Sequence, residues 1–159
     1  MKDIKYIVGD ATDPVGDGVK IIIHCCNDIG KWGKGFVVAL SRKWPETRKR
    51  YVKWYRSNRN FKLGNLQYVK VADDTHVCNM IGQKGIRAVG KVPPIRYGAI
   101  AKCLEKVRDA ASRLNATVHC PRFGAGLAGG SWEKIEGLLI SILAENDIQV
   151  IVYDLPKGG

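Results

Sequence analysis

Phe123-Gly124-Ala125-Gly126-Leu127-Ala128-Gly129-Gly130-Ser131-Trp132 is the stretch on which the reading of this chain turns. The β-type run Thr117-Val118-His119-Cys120 leads into it and a helix-like pattern leads out. Glycine carries no Cβ, so such a loop can take positive φ and let a ligand approach the backbone closely. Where it ends at a helix N-terminus, free N–H groups point at one spot and favour an anion there. The expected guest is a phosphate or a diphosphate.

Outward from this loop the chain alternates strands and helices. Ile4 to Gly9 reads as a strand ending at Gly9-Asp10-Ala11-Thr12-Asp13-Pro14. Val19 to Cys26 is almost continuously apolar and β-branched, as in a central buried strand. Asn27 to Gly35 is a glycine-punctuated loop, after which Val37, Leu40 and Trp44 fit a short helix facing the core. Pro45 is expected to open a second helix, with Val52 and Tyr55 on its apolar side. Leu66–Val71 and His76–Ile81 read as strands around the turn signal Asp73-Asp74. Pro93-Pro94 is expected to open a long helix with Ile100, Leu104, Val107, Ala111 and Leu114 on one face. Ser131 suits an N-cap, and Ile135, Leu138, Leu139 and Ile142 form the stripe of the helix after it. Ile148 to Tyr153 is the last strand. The class is therefore α/β, helices on both faces of a sheet, with the ligand site at the carboxyl ends of the strands. The loops after Gly9, Cys26 and Phe123 meet that condition.

At 159 residues, 45% hydrophobic and 26% charged, the chain suits one domain, residues 1–159, with one substantial core. No apolar run approaches the roughly 20 residues of a membrane span, and the N-terminus lacks the apolar core of a signal peptide. A cytoplasmic protein is expected, or a nuclear one in a eukaryote, acting as a monomer and without a membrane partner. The five cysteines are odd in number and form no C-x-x-C, which speaks against a disulfide framework or zinc ribbon; no metal site and no cofactor is expected. The net charge of +11 implies attraction to anions, and much of the excess lies between Arg42 and Lys62. That run reads either as a solvated helix face or as a basic surface for a polyanion.

Gly124, Gly126 and Gly129 satisfy G-x-G-x-x-G, and Asp154 follows the next strand, which is the layout of a dinucleotide fingerprint. A nicotinamide-dependent enzyme is thus one reading. Position opposes it: a Rossmann domain needs further βαβ units after the fingerprint, and only five residues follow Asp154. A P-loop is excluded because no Gly-Lys-Ser/Thr follows.

Three motifs in order carry a resemblance: Val8-Gly9-Asp10-Ala11-Thr12; His24-Cys25-Cys26-Asn27-Asp28-Ile29-Gly30-Lys31-Trp32-Gly33-Lys34-Gly35-Phe36-Val37; and Pro121-Arg122-Phe123-Gly124-Ala125-Gly126-Leu127 with Trp132. From about Ile4 to Leu155 the chain resembles the macrodomain family, and most of all its branch of ADP-ribose-1″-phosphate phosphatases and terminal ADP-ribose protein glycohydrolases. The resemblance implies a three-layer α/β/α sandwich with a central mixed sheet that binds ADP-ribose. It implies that Asp10 accepts the adenine amino group with Ala11 beside it, and that Tyr153 packs on the adenine. It places Asn27 at the distal ribose; Trp32, standing between two loop glycines, reads either as a lid over that ribose or as a core aromatic. Gly33, Gly35, Phe36 and Val37 form one wall of the diphosphate site, and Gly124, Ala125, Gly126, Leu127 and Ala128 the other.

The chain also departs from that branch. The glycohydrolases use a lysine just after the fourth strand and an aspartate in the glycine loop, where this chain has Gln83 and Ala128. Lys84 lies one residue on, and a one-residue slip reverses side-chain direction. Asn27 and His24 remain as candidate catalytic residues. His24 reads either as a group that activates water or protonates a leaving oxygen, or as a buried imidazole bonded to backbone. The implied activity is hydrolysis of ADP-ribose 1″-phosphate or a related derivative. The alternative is a non-catalytic reader of ADP-ribosylated protein or nucleic acid, the latter met by Arg48, Lys49, Arg50 and Lys53.

Overall fold

A computed structural model describes residues 1–126 and 128–157. In chain order it contains β1 (Lys5–Val8), β2 (Lys20–Asn27), α1 (Phe36–Lys43), α2 (Glu46–Ser57), β3 (Leu66–Ala72), β4 (Thr75–Gln83), α3 (Tyr97–Leu114), β5 (Thr117–Cys120), α4 (Trp132–Ile142) and β6 (Val150–Asp154). The strands form one mixed sheet in the order β1-β6-β5-β2-β4-β3. Only the β3–β4 pair is antiparallel; the others run parallel, so five carboxyl ends share one edge of the sheet.

The apolar run of β2 explains the layering. Side chains alternate across a strand, and Ile21, Ile22 and Ile23 are all fully buried. Ile21 and Ile23 pack with α3 and α4 residues such as Ile100, Leu104, Ile135 and Leu139. Ile22 and Cys26 face the other way, toward Leu40 of α1 and Tyr51 of α2. Each buried aliphatic side chain contributes about 1.5–3 kcal/mol, so β2 ties the two helical layers together. The result is the expected three-layer α/β/α sandwich.

Two helices depart from expectation. The long helix starts at Tyr97 rather than at Pro93-Pro94. The residue before a proline is pushed toward extended backbone, and the peptide group between Pro94 and Ile95 is held on both sides: Lys84 N–H donates to Pro94 O at 2.8 Å and Ile95 N–H to Ala128 O at 3.2 Å. It is a strap between the exit of β4 and the glycine loop. Leu114, at the end of the α3 stripe, is exposed, because the chain turns away at left-handed Asn115. In α2 the fully buried side chains are Thr47 and Tyr51; Val52 packs partly buried against the same cluster, and Tyr55 is exposed. Tyr55 instead covers Gly30 (φ 74), where a Cβ would lie 2.3 Å from its ring. Pro45 occupies the N-cap position of α2, and Ser131 caps α4 by accepting from Lys134 N–H.

Candidate functional site

The carboxyl edge of the parallel strands opens into a cleft of about 710 Å³ that holds parts of all three loops. Gly9, Asp10 and Ala11 come from the exit of β1; Gly35, Phe36 and Val37 from the start of α1; Gly124, Gly126 and Ala128 from the glycine loop; Tyr153 from β6. A smaller chamber of about 310 Å³ adjoins it, lined by Asn27, Lys31, Trp32 and Gly33. Cys25, Lys34, Val37 and Gln83 line both spaces, so the two lie side by side. Ala125 is half-buried outside the cleft lining, and Leu127 lies outside the described residues.

The glycine loop is folded tightly onto the core. Gly124 has φ 76, and a Cβ there would sit 2.7 Å from Ile95 Cδ1 and 2.9 Å from Ile135 Cδ1. Gly130 N–H donates to Gly124 O at 2.8 Å, and a Cβ on Gly130 would lie 2.5 Å from that oxygen. By contrast a Cβ on Gly126 meets nothing within 4 Å. Gly124 and Gly130 therefore build the loop, while Gly126 faces free space at the cleft. At the root of the loop Arg122 pairs with Asp154 through two bonds of 2.7 and 3.0 Å and stacks over Tyr6 and Trp132.

Asn27 organises the opposite loop. Its Oδ1 accepts from the N–H groups of Ile29 and Lys31 and from the Tyr51 hydroxyl, at 2.9 to 3.1 Å. Its Nδ2 donates to Lys31 O, which leaves one amide hydrogen for a ligand oxygen. Trp32 lies over Tyr51, with ring centroids 5.4 Å apart. Its indole N–H is shared between Val37 O and Ser41 Oγ, so the side chain is tied to α1 while lining the chamber.

His24 lines the cleft wall but is only 2% exposed. Asn79 Nδ2 donates to Gln67 Oε1 and Thr47 O, which turns Asn79 Oδ1 toward His24 Nε2 at 2.5 Å. Nε2 thus carries the proton and Nδ1 the lone pair. Burial pushes this imidazole down to about 4, against the opposing effect of the hydrogen bond that Nε2–H donates to Asn79. It is neutral at pH 7, wedged between Trp32 and Phe36.

At the other end Asp10 Oδ1 accepts from Thr12 N–H and Thr12 hydroxyl, both at 2.8 Å. Its second carboxylate oxygen has no protein partner among the described residues. Tyr153 is 4% exposed; its hydroxyl accepts from Val15 N–H at 2.9 Å and meets His119 Nδ1 at 2.7 Å. Its ring lies against Gly9, where a Cβ would be 3.5 Å from it. His119 is fully buried and, like His24, held down to about 4, first by burial and then by Lys20.

Gln83 reaches the cleft from the end of β4, whereas Lys84 is exposed and lines neither space. The sequence reading missed Cys25, Lys34 and Arg42 as lining residues. Arg42 had a usable signal: it lies six residues after Phe36 and three after Ala39, on one helical face that starts at the cleft. The five cysteines are all free thiols. Among the described residues no three His, Cys, Asp or Glu side chains could hold a metal ion. Among the described residues no helix is long and apolar enough to cross a membrane.

No family model matches the chain. A macrodomain protein from Streptomyces coelicolor is similar to it over 96% of this chain and 99% of its own, at 47% identity and a TM-score of 0.86. The chromodomain-helicase-DNA-binding protein 1-like of Danio rerio is 32% identical over 98% of this chain, which spans only 16% of that relative's length. The ADP-ribose 1″-phosphate phosphatase of Lodderomyces elongisporus is 26% identical, over 95% of this chain and 99% of its own.

Proposed function

This chain belongs to the macrodomain family, and on that premise we propose that it binds ADP-ribose in the cleft and hydrolyses ADP-ribose 1″-phosphate. The observation that carries the reading is the pair of adjoining cavities between three loops, with Asp10 in the larger and Asn27 in the smaller. A cleft of about 710 Å³ is within the ~300–1,000 Å³ of small-molecule sites. The free oxygen of Asp10 accepts the adenine amino group, beside Ala11 and Tyr153. Backbone N–H groups of Gly33 to Val37 and of Gly124, Ala125, Gly126 and Ala128 hold the diphosphate. The spare amide hydrogen of Asn27 meets the distal ribose under Trp32. The likeness to the ADP-ribose 1″-phosphate phosphatase of Lodderomyces elongisporus supports the hydrolytic step. In that step water attacks phosphorus, the bond to the ribose oxygen breaks, and the water proton passes to that oxygen, with N–H groups balancing the developing charge. His24 Nδ1 is the proton relay.

Calorimetric titration with ADP-ribose and phosphate release from its 1″-phosphate test both halves. Saturable binding with released phosphate supports the reading, and absence of binding at millimolar ligand overturns it. A second reading, a non-catalytic reader of ADP-ribosylated molecules, is favoured by one observation: His24 is buried, neutral and already bonded to Asn79. Binding without phosphate release assigns the chain to that reading.

A further inference from the structure

The proposed function leaves one buried polar chain unused. Val118 and Cys120 of β5 pack into the α3–α4 layer, as do Val150 and Val152 of β6. Side chains alternate along a strand, so Thr117, His119 and Tyr153 share the opposite face. There the rings of His119 and Tyr153 lie with centroids 5.7 Å apart. A fully buried imidazole costs free energy unless both of its nitrogens are bonded, and here both are.

The hydrogen bonds of this chain run in one direction. Val15 N–H donates to the Tyr153 hydroxyl at 2.9 Å, so that hydroxyl sends its own hydrogen to His119 Nδ1 at 2.7 Å. The reverse arrangement would leave a buried hydroxyl hydrogen without an acceptor. Nδ1 therefore holds the lone pair, and Nε2–H donates to Thr117 Oγ1 at 2.7 Å. Burial and then Lys20 keep the ring neutral, so the lone pair is present near neutrality.

The chain ends on the loop that carries Asp10. Residues 15–18 of that loop are exposed, and Gly16 and Gly18, at φ 99 and 83, have open space beside them. From Pro14 to Asp17 the one hydrogen bond to the rest of the described residues is that of Val15 to Tyr153. Just upstream, Asp13 N–H donates to Asp10 O, and Thr12 N–H and hydroxyl donate to Asp10 Oδ1, which ties the carboxylate to the same turn. The tie from α1, Lys43 Nζ to Thr12 O, comes from a long, part-exposed side chain. The Tyr153 bond is thus the rigid strut of the loop, and His119 aims it. The Tyr153 ring lies against Gly9 independently of its hydroxyl, so packing on the base and support of the loop are separable.

We infer that His119, acting through the Tyr153 hydroxyl, is the positioning residue that holds the Asp10 loop in register with the base, and so sets the preference of the cleft for a purine with a 6-amino group. The inference rests on ADP-ribose binding in the cleft, and its test keeps the two apart.

Calorimetric titration of the full chain compares ADP-ribose with its hypoxanthine counterpart, in which a carbonyl replaces the 6-amino group. The parent is expected to prefer ADP-ribose by at least about ten-fold. His119→Leu and Tyr153→Phe are each expected to weaken ADP-ribose about five-fold, the size of one net hydrogen bond, and to change the hypoxanthine form by less than about two-fold. His119→Asn, whose amide oxygen can accept from the hydroxyl in place of Nδ1, is expected to keep the parental preference. The double variant His119→Leu/Tyr153→Phe should lose no more than the larger single loss, because both changes break one chain. The Val15 amide is expected to be protected from hydrogen exchange in the parent and to lose that protection in both single variants. Tyr153→Phe carries the test alone if His119→Leu does not fold. A preference retained in these variants, or an equal loss for the two ligands, overturns the inference. Failure of ADP-ribose to bind the parent, or a parent without preference between the two bases, overturns the proposed function instead.

Discussion

Acidification from pH 7 to pH 4.5 is expected to destabilise this domain through two buried imidazoles. His24 and His119 are 2% and 0% exposed, and burial holds both down to about 4. An unfolded histidine titrates near 6.5. The folded value is the lower one, so the unfolded state binds more protons between the two values. Stability is therefore full above about pH 6.5 and is lost as pH falls toward 4. Over pH 7 to 4.5 each group removes about 2.4 kcal/mol, and the pair about 5. His76, held below its ordinary value by burial and by Lys70, adds in the same direction. The carboxylates do not share this window. Asp74, Asp147 and Asp154 are all held below the ordinary range by hydrogen bonds to their partners, so their effect lies at lower pH. Urea unfolding at half-unit pH steps measures the change. With a slope of about 2 kcal/mol/M, the midpoint at pH 4.5 should fall by about 2 M or more. His119→Gln should flatten roughly half of that dependence. A midpoint that stays within about 0.3 M across the window refutes the assignment of both rings as buried and neutral.

Gly124→Ala, with a Cβ wedged between Ile95 and Ile135 at φ 76, should lose about 2–4 kcal/mol in denaturant melts. Gly126→Ala, which meets no neighbour, should melt within about 0.5 kcal/mol of the parent and show its effect in ADP-ribose affinity. Tyr51→Phe removes the hydroxyl that bonds both Asn27 O and Asn27 Oδ1; a stability loss of about 1 kcal/mol and weaker ADP-ribose binding are expected by melting and calorimetry. Asp10→Asn keeps an oxygen for Thr12 but puts an amide donor against the adenine amine, so affinity for ADP-ribose should fall by at least about ten-fold.

Much of the fold was legible because β2 and α3 have strong single-purpose patterns. Val19 to Cys26 has no polar face to misplace, and the Ile100–Ala111 stripe keeps one helical period. The start of α3 was not legible. Prolines suit a first helical turn, and nothing local to Pro93 and Pro94 reveals that Lys84 and Ala128, distant in sequence, hold them extended. The buried side of α2 was hidden for a similar reason. Tyr51 and Tyr55 are one turn apart and chemically alike; Asn27 draws in the first and Gly30 leaves the second at the surface. At the site the glycine spacing marked the backbone walls, because positive φ and missing Cβ atoms are written directly in residue type. The state of His24 was not, because it depends on Asn79, Gln67 and Thr47, three side chains brought together by β3, β4 and α2.

Isothermal titration of the chain with ADP-ribose tests the central reading most directly. Saturable one-to-one binding, weakened in Asp10→Asn, is the predicted result. Absence of binding heat with ligand raised into the millimolar range contradicts it.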